Sequence, residues 1–104
     1  MRYLAMALRE SERSNHPRHR LGAVVVKGGA VLAKAANTGR IERCAERRAL
    51  KQRGCFKGST VYVARSNGLC SRPCEGCIER LREEGVRSVV YVDVNGSVVE
   101  EMVI

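Results

Sequence analysis

The spacing of apolar side chains divides this chain into short, alternating elements. Leu4, Ala5 and Leu8 give residues 2–12 an amphipathic helical pattern. Residues 11–20 are polar and basic, with His16-Pro17 and His19, and read as a loop. Residues 21–27, Leu-Gly-Ala-Val-Val-Val-Lys, form a β-branched run of strand type. Gly28-Gly29 follows, and paired glycines accept the positive φ angles of a hairpin turn. Residues 30–36 then return as a second strand, and 37–43 read as a loop. A helix is predicted over 44–53, ended by Gly54.

The second half repeats the alternation. Residues 59–64 read as a third strand, 65–73 as a loop and 74–84 as a helix stopped by Gly85. Residues 86–94 are almost continuously apolar, the mark of a buried strand. Asn95-Gly96 signals a two-residue hairpin turn, and 97–104 returns as a last strand whose exposed edge could pair in an oligomer. The order α-β-β-α-β-α-β-β predicts an α/β fold, a central five-stranded mixed sheet with helices on its faces. The third and fourth strands flank a crossover helix and should be parallel; the fourth and fifth should be antiparallel.

Length and composition narrow the picture. The 104 residues suit one domain, 1–104, and can bury roughly two-thirds of the unfolded surface without disulfides. A hydrophobic fraction of 44% beside 29% charged residues is that of a globular protein. No apolar run approaches the ~18 residues a membrane span needs, so no membrane partner is expected. The short apolar stretch before Arg9 and Glu10 lacks the features of a secretory signal, which points to a cytoplasmic protein. The net charge of +8 adds an expectation of an anionic partner, either a nucleotide phosphate or a single-stranded polynucleotide.

The cysteines carry the chemistry. Their number, five, is odd, and in a reducing compartment a Cys-x-x-Cys with a distant third Cys reads as a metal site. Cys44-Ala45-Glu46 is followed by Pro73-Cys74-Glu75-Gly76-Cys77. Cys44, Cys74 and Cys77 supply three thiolates for Zn²⁺ and leave a fourth tetrahedral position for water, the coordination of a catalytic site. Cys74 and Cys77 share one face of a helix start. Glu46, two residues from Cys44, points to a different side of its helix and is placed to move protons beside the open position. Arg47 can offset the net negative charge of a trithiolate zinc from the outer shell. Cys55 and Cys70 remain as free thiols, although Cys70 is near enough to Cys74 to close the site as a structural zinc. Zinc-free redox chemistry at Cys74 and Cys77 is a further alternative, one that leaves Glu46 without a role.

These residues resemble the cytidine deaminase-like superfamily, the zinc-dependent cytidine and deoxycytidylate deaminases, over nearly the whole chain. Cys44-Ala45-Glu46-Arg47 and Pro73-Cys74-x-x-Cys77 carry the resemblance, with Leu21-Gly22-Ala23-Val24-Val25-Val26 and Asn37 leading into the site. The resemblance implies a three-layer α/β/α fold. It implies that Cys44, Cys74 and Cys77 bind zinc, that Glu46 is the catalytic proton shuttle, and that Asn37 and the backbone at Ala45 contact the substrate. The implied reaction is hydrolytic deamination of cytosine in a cytidine or deoxycytidine nucleoside or nucleotide. The opening helix and the stretch from Ser14 to Val24 look more like deoxycytidylate and polynucleotide deaminases, and Arg13, Arg18 and Arg20 are candidates to hold a 5′-phosphate. Against a polynucleotide, Phe56 is the only Phe and there is no Trp for base stacking. A non-catalytic zinc-stabilised binding module is the third reading. A short chain of this kind would borrow walls from a neighbour, so a homo-oligomer is expected.

Overall fold

The computed structural model describes residues 2–13, 20–36, 56–65, 73 and 75–103. Its elements in chain order are α1 (Arg2–Ser11), β1 (Leu21–Lys27), β2 (Ala30–Ala36), β3 (Thr60–Arg65), α2 (Glu75–Glu83), β4 (Ser88–Val92) and β5 (Val98–Met102). The helix expected over 44–53 lies outside the described residues, as do Asn37, Cys55 and Cys70.

The strands form one five-stranded sheet in the order β2-β1-β3-β4-β5. β3 and β4 are parallel, as their crossover requires; the two hairpin pairs are antiparallel, and so is β1 with β3. Strand periodicity then sorts the side chains onto two faces. Ala23, Val25, Val61, Val63, Val89 and Tyr91 meet Ile78 and Leu81 of α2 in one apolar cluster, together with Phe56, Val86 and Val103. Val24, Val26 and Ala64 point the other way and meet Ala7 of α1. β1 is therefore apolar on consecutive residues because it is covered on both faces. The three-layer α/β/α arrangement follows directly.

Gly22 sets the distance between α1 and the sheet. A Cβ there would collide with the carbonyl oxygen of Ala7 and stand 2.5 Å from the amide nitrogen of Ser11. A glycine inside a β-branched run is thus a close backbone approach, not a weak point in the strand.

The β1–β2 turn matches its expectation: Gly28 and Gly29 have φ of 58° and 80°, and Lys27 pairs with Ala30. The β4–β5 connection does not. The apolar run 86–94 yields a strand of only Ser88–Val92, and Val94 is 83% exposed. The turn is centred on Val94 and Asn95, with Gly96 following at φ 81°. The Asp93 carbonyl accepts the Gly96 N–H at 3.0 Å. The Asp93 carboxylate also accepts the Asn95 and Ser97 N–H groups, at 2.9 and 3.0 Å. Those bonds to Asp93 draw the loop into three residues with a glycine bulge, in place of the two-residue turn that Asn-Gly favours alone.

At the opposite end of the crossover, main-chain bonds fasten three segments together. Gly58 N–H donates to Gly85 O at 2.8 Å, Arg87 N–H to Ser59 O at 2.8 Å, and Val103 N–H to Arg87 O at 2.9 Å. Gly58 and Gly85 both adopt φ of 78° to make this junction.

Candidate active site

α2 carries the second half of the cysteine motif. Pro73 is buried just ahead of the helix, and Glu75 places a carboxylate in the first turn, where it complements the helix dipole. Gly85 at positive φ stops the helix, with Val86 N–H donating to Leu81 O and Gly85 N–H to Arg82 O, both at 3.0 Å. Ile78 and Leu81 fix one side of α2 against the sheet. Cys77 lies on the same turn, 1% exposed and not in a disulfide. Its place in the first turn puts the sulfur near the positive end of the helix dipole.

Of the remaining sequence-derived site residues, Cys44, Cys74, Glu46, Asn37, Ala45 and Arg47 all lie outside the described residues. The donor set that Cys44 and Cys74 would form with Cys77, three thiolates, suits Zn²⁺ in both softness and number.

The basic residues considered for phosphate separate. Arg13 pairs with Glu10 at 3.2 Å, and Glu10 is itself 8% exposed. Both line an open cavity of about 400 Å³ with Met6, Arg9, Glu12 and Lys34. That cavity lies on the α1 face, since Lys34 pairs with Val24. It is therefore across the sheet from Cys77. Arg20 is exposed just before β1, and Arg18 lies outside the described residues. Sequence reasoning treated Gly22 as ordinary strand; the signal that marks it is its place within an otherwise β-branched run.

Residues 1–93 match the model of the cytidine and deoxycytidylate deaminase zinc-binding region. The chain belongs to this family. It is a hydrolase of the deaminase class, and the family's defining region is one that binds zinc. Among solved structures, the apo dCMP deaminase of cyanophage S-TIM5 is similar at 27% identity and a TM-score of 0.74, covering 88% of this chain and 80% of that one. A cytidine deaminase from Burkholderia pseudomallei shares the fold at 22% identity and a TM-score of 0.77, covering 98% and 91%. RibD of Acinetobacter baumannii is similar at 25% identity and a TM-score of 0.67, over 88% of this chain but only 27% of the longer protein. No curated protein sequence matches the chain. Among the described residues, no helix is long and apolar enough to cross a membrane.

Proposed function

We propose that this deaminase hydrolyses the amino group of cytosine in a small cytidine or deoxycytidine nucleotide, using zinc held by Cys44, Cys74 and Cys77. The observation that carries the reading is the family match over residues 1–93, which spans both halves of the cysteine motif. The cyanophage relative, solved with dCMP and dUMP, supports a nucleoside monophosphate as substrate. The net charge of +8 supports it as well. Arg18 and Arg20 are the better phosphate candidates, because Arg13 already faces Glu10.

When bound, zinc supplies a water whose pKa is lowered to about 7. The Glu46 carboxylate would accept a proton as water adds to the carbon bearing the amino group. Glu46 then passes the proton to the adjacent ring nitrogen and assists departure of the amine. Water and cytosine become uracil and ammonia, so the proton count balances. Asn37 holds the sugar, the main chain at Ala45 reads the pyrimidine edge, and Arg47 offsets the charge of the thiolates. The chain works as one domain in a cytoplasmic homo-oligomer.

The same +8 charge supports a second reading, deamination of cytosine in a single strand. One panel tests both. The protein is incubated with cytidine, deoxycytidine, their monophosphates and a cytosine-containing oligonucleotide, and uracil products are measured. A monophosphate should turn over fastest, and Glu46→Gln should lower its rate by about 10²–10⁴-fold. Turnover of the oligonucleotide alone would favour the second reading, and zinc-loaded protein inert on every substrate would refute both.

A further inference from the structure

The ladder between the two parallel strands is short. It joins Thr60, Val61 and Tyr62 of β3 to Ser88, Val89 and Val90 of β4. Past these pairs β3 follows β1 as far as Arg65, which lies opposite Leu21. β4 follows β5, with Val92 opposite Val98. Ligands of open α/β sheets bind in the crevice outside the carboxyl ends of the strands, and Arg65 is the carboxyl end of β3.

Alternation puts Arg65 on the face of Val61 and Val63, which α2 covers. Its ladder partner agrees, because Leu21 packs against the same apolar cluster. The height of Arg65 follows from the bond between Gly58 and Gly85. From Gly85 back to Glu75 the helix rises about 15 Å, whereas from Gly58 to Arg65 an extended chain advances about 23 Å. β3 thus outruns α2 by about 8 Å, and Arg65 stands in front of the turn that holds Cys77.

The side chain is not that of a solvated surface arginine. Arg65 is half-buried and its Nε is withdrawn from solvent. A guanidinium held in this way offers a fixed planar fork of donors, which matches the oxygens of a phosphate. Arg13 is across the sheet with Glu10, whereas Arg65 shares both the face and the end of the sheet with Cys77. The amino-bearing carbon of cytosine and the 5′-phosphate are at opposite ends of a nucleotide. A phosphate ligand must therefore stand off from the reacting end, as a residue in front of α2 does.

We infer that Arg65 is a specificity residue that holds the phosphate of a cytidine or deoxycytidine monophosphate. The inference rests on the deaminase reading for the place of the base, and on the strand geometry for the place of the arginine.

The test is calorimetric binding of the reaction products, deoxyuridine and its monophosphate, to the zinc-loaded full chain, so that no turnover is needed. Variants are compared at matched far-UV spectra and zinc content. The parent should bind the monophosphate more tightly than the nucleoside, and inorganic phosphate should compete with the monophosphate alone. Arg65→Gln should weaken monophosphate binding at least about 10-fold and leave nucleoside binding unchanged. Arg65→Lys should fall between the two, since it keeps the charge and loses the fork; it also decides the matter if Arg65→Gln does not fold. In turnover, the KM for the deoxycytidine monophosphate should rise and kcat/KM for deoxycytidine should hold. A parent without preference for the monophosphate overturns the inference, even if it deaminates both substrates. Equal losses for nucleoside and monophosphate overturn it too, because they mark a structural or metal-directed role, as does unchanged binding in both variants. Selective loss in a chain that deaminates nothing would uphold Arg65 as a phosphate ligand and refute the deaminase reading.

Discussion

The sheet's two faces differ in how fully they are used. The face under α2 holds a continuous apolar cluster that reaches from β2 to β5 and includes Leu81, Val61, Val63 and Val89, all fully buried. The face under α1 holds a smaller cluster, Ala7, Val24, Val26 and Ala64, edged by Tyr3, Met6 and Tyr62. The helix that carries Cys77 is the one set in the large cluster. The ligand role proposed for Cys77 would demand an element whose rotation and height are fixed by packing on several strands. α1 is held by this smaller cluster and by the close approach at Gly22.

The contrast yields four expectations, ordered by size. The largest concerns the cysteine on the well-packed side. Cys77→Ser should leave the fold in place yet give substoichiometric zinc by elemental analysis. It should also lower deamination by more than the ~10–100-fold that loss of an outer-shell partner costs. Full zinc retention in that variant would remove Cys77 from the ligand set. Next is stability on the same side: Leu81→Ala should cost about 2–5 kcal/mol in urea unfolding, because a fully buried side chain leaves a cavity between α2 and the sheet. Across the sheet, Gly22→Ala should cost about 1–3 kcal/mol, by lifting α1 rather than emptying a core. A loss at Gly22 greater than that at Leu81 would reverse the ranking of the two faces.

The smallest effect is a pH dependence on the α1 face. Burial, then the Glu100 carboxylate, then Tyr3, raise the Tyr62 hydroxyl above its ordinary pKa of 10.0. The folded chain therefore holds this proton more tightly than the unfolded chain. The contribution is complete below the unfolded value and is lost as pH climbs past it through the folded value. Tyr62→Phe should make the alkaline decline in stability shallower, read as urea midpoints on either side of about pH 10. An unchanged decline would show that Tyr62 titrates as it does in the unfolded chain.

Most of the described architecture was legible in the sequence because periodicity and turn chemistry agreed there. Gly28-Gly29 announced a hairpin and Gly85 a helix stop, and the helix between β3 and β4 required a parallel pair. The last hairpin was misjudged by a residue because the Asp93 side chain captures amides that Asn-Gly alone would leave free. β5 was harder to orient. Val98, Val99, Glu100, Glu101 and Met102 put apolar and acidic residues on both faces, so the strand pattern does not say which face is covered. The structure resolves it: Val99 packs into the large cluster and Tyr91 donates to Glu101 at 3.0 Å, which leaves Val98, Glu100 and Met102 outside. For the site, motif spacing names residues without distances, and of the proposed ligands only Cys77 lies within the described part. It is buried at the start of α2.

The bonds joining Gly58 to Gly85, Ser59 to Arg87 and Arg87 to Val103 all run between peptide groups, and the Arg82 side chain adds one to Val103 O at 3.1 Å. Any amino acid but proline can supply a peptide N–H, so the side chains at Arg87 and Val103 are not what closes the junction. Only the two glycines, bound by their backbone angles, are irreplaceable there. The exposed Arg87 side chain can therefore change over evolutionary time while the ends of the crossover stay anchored.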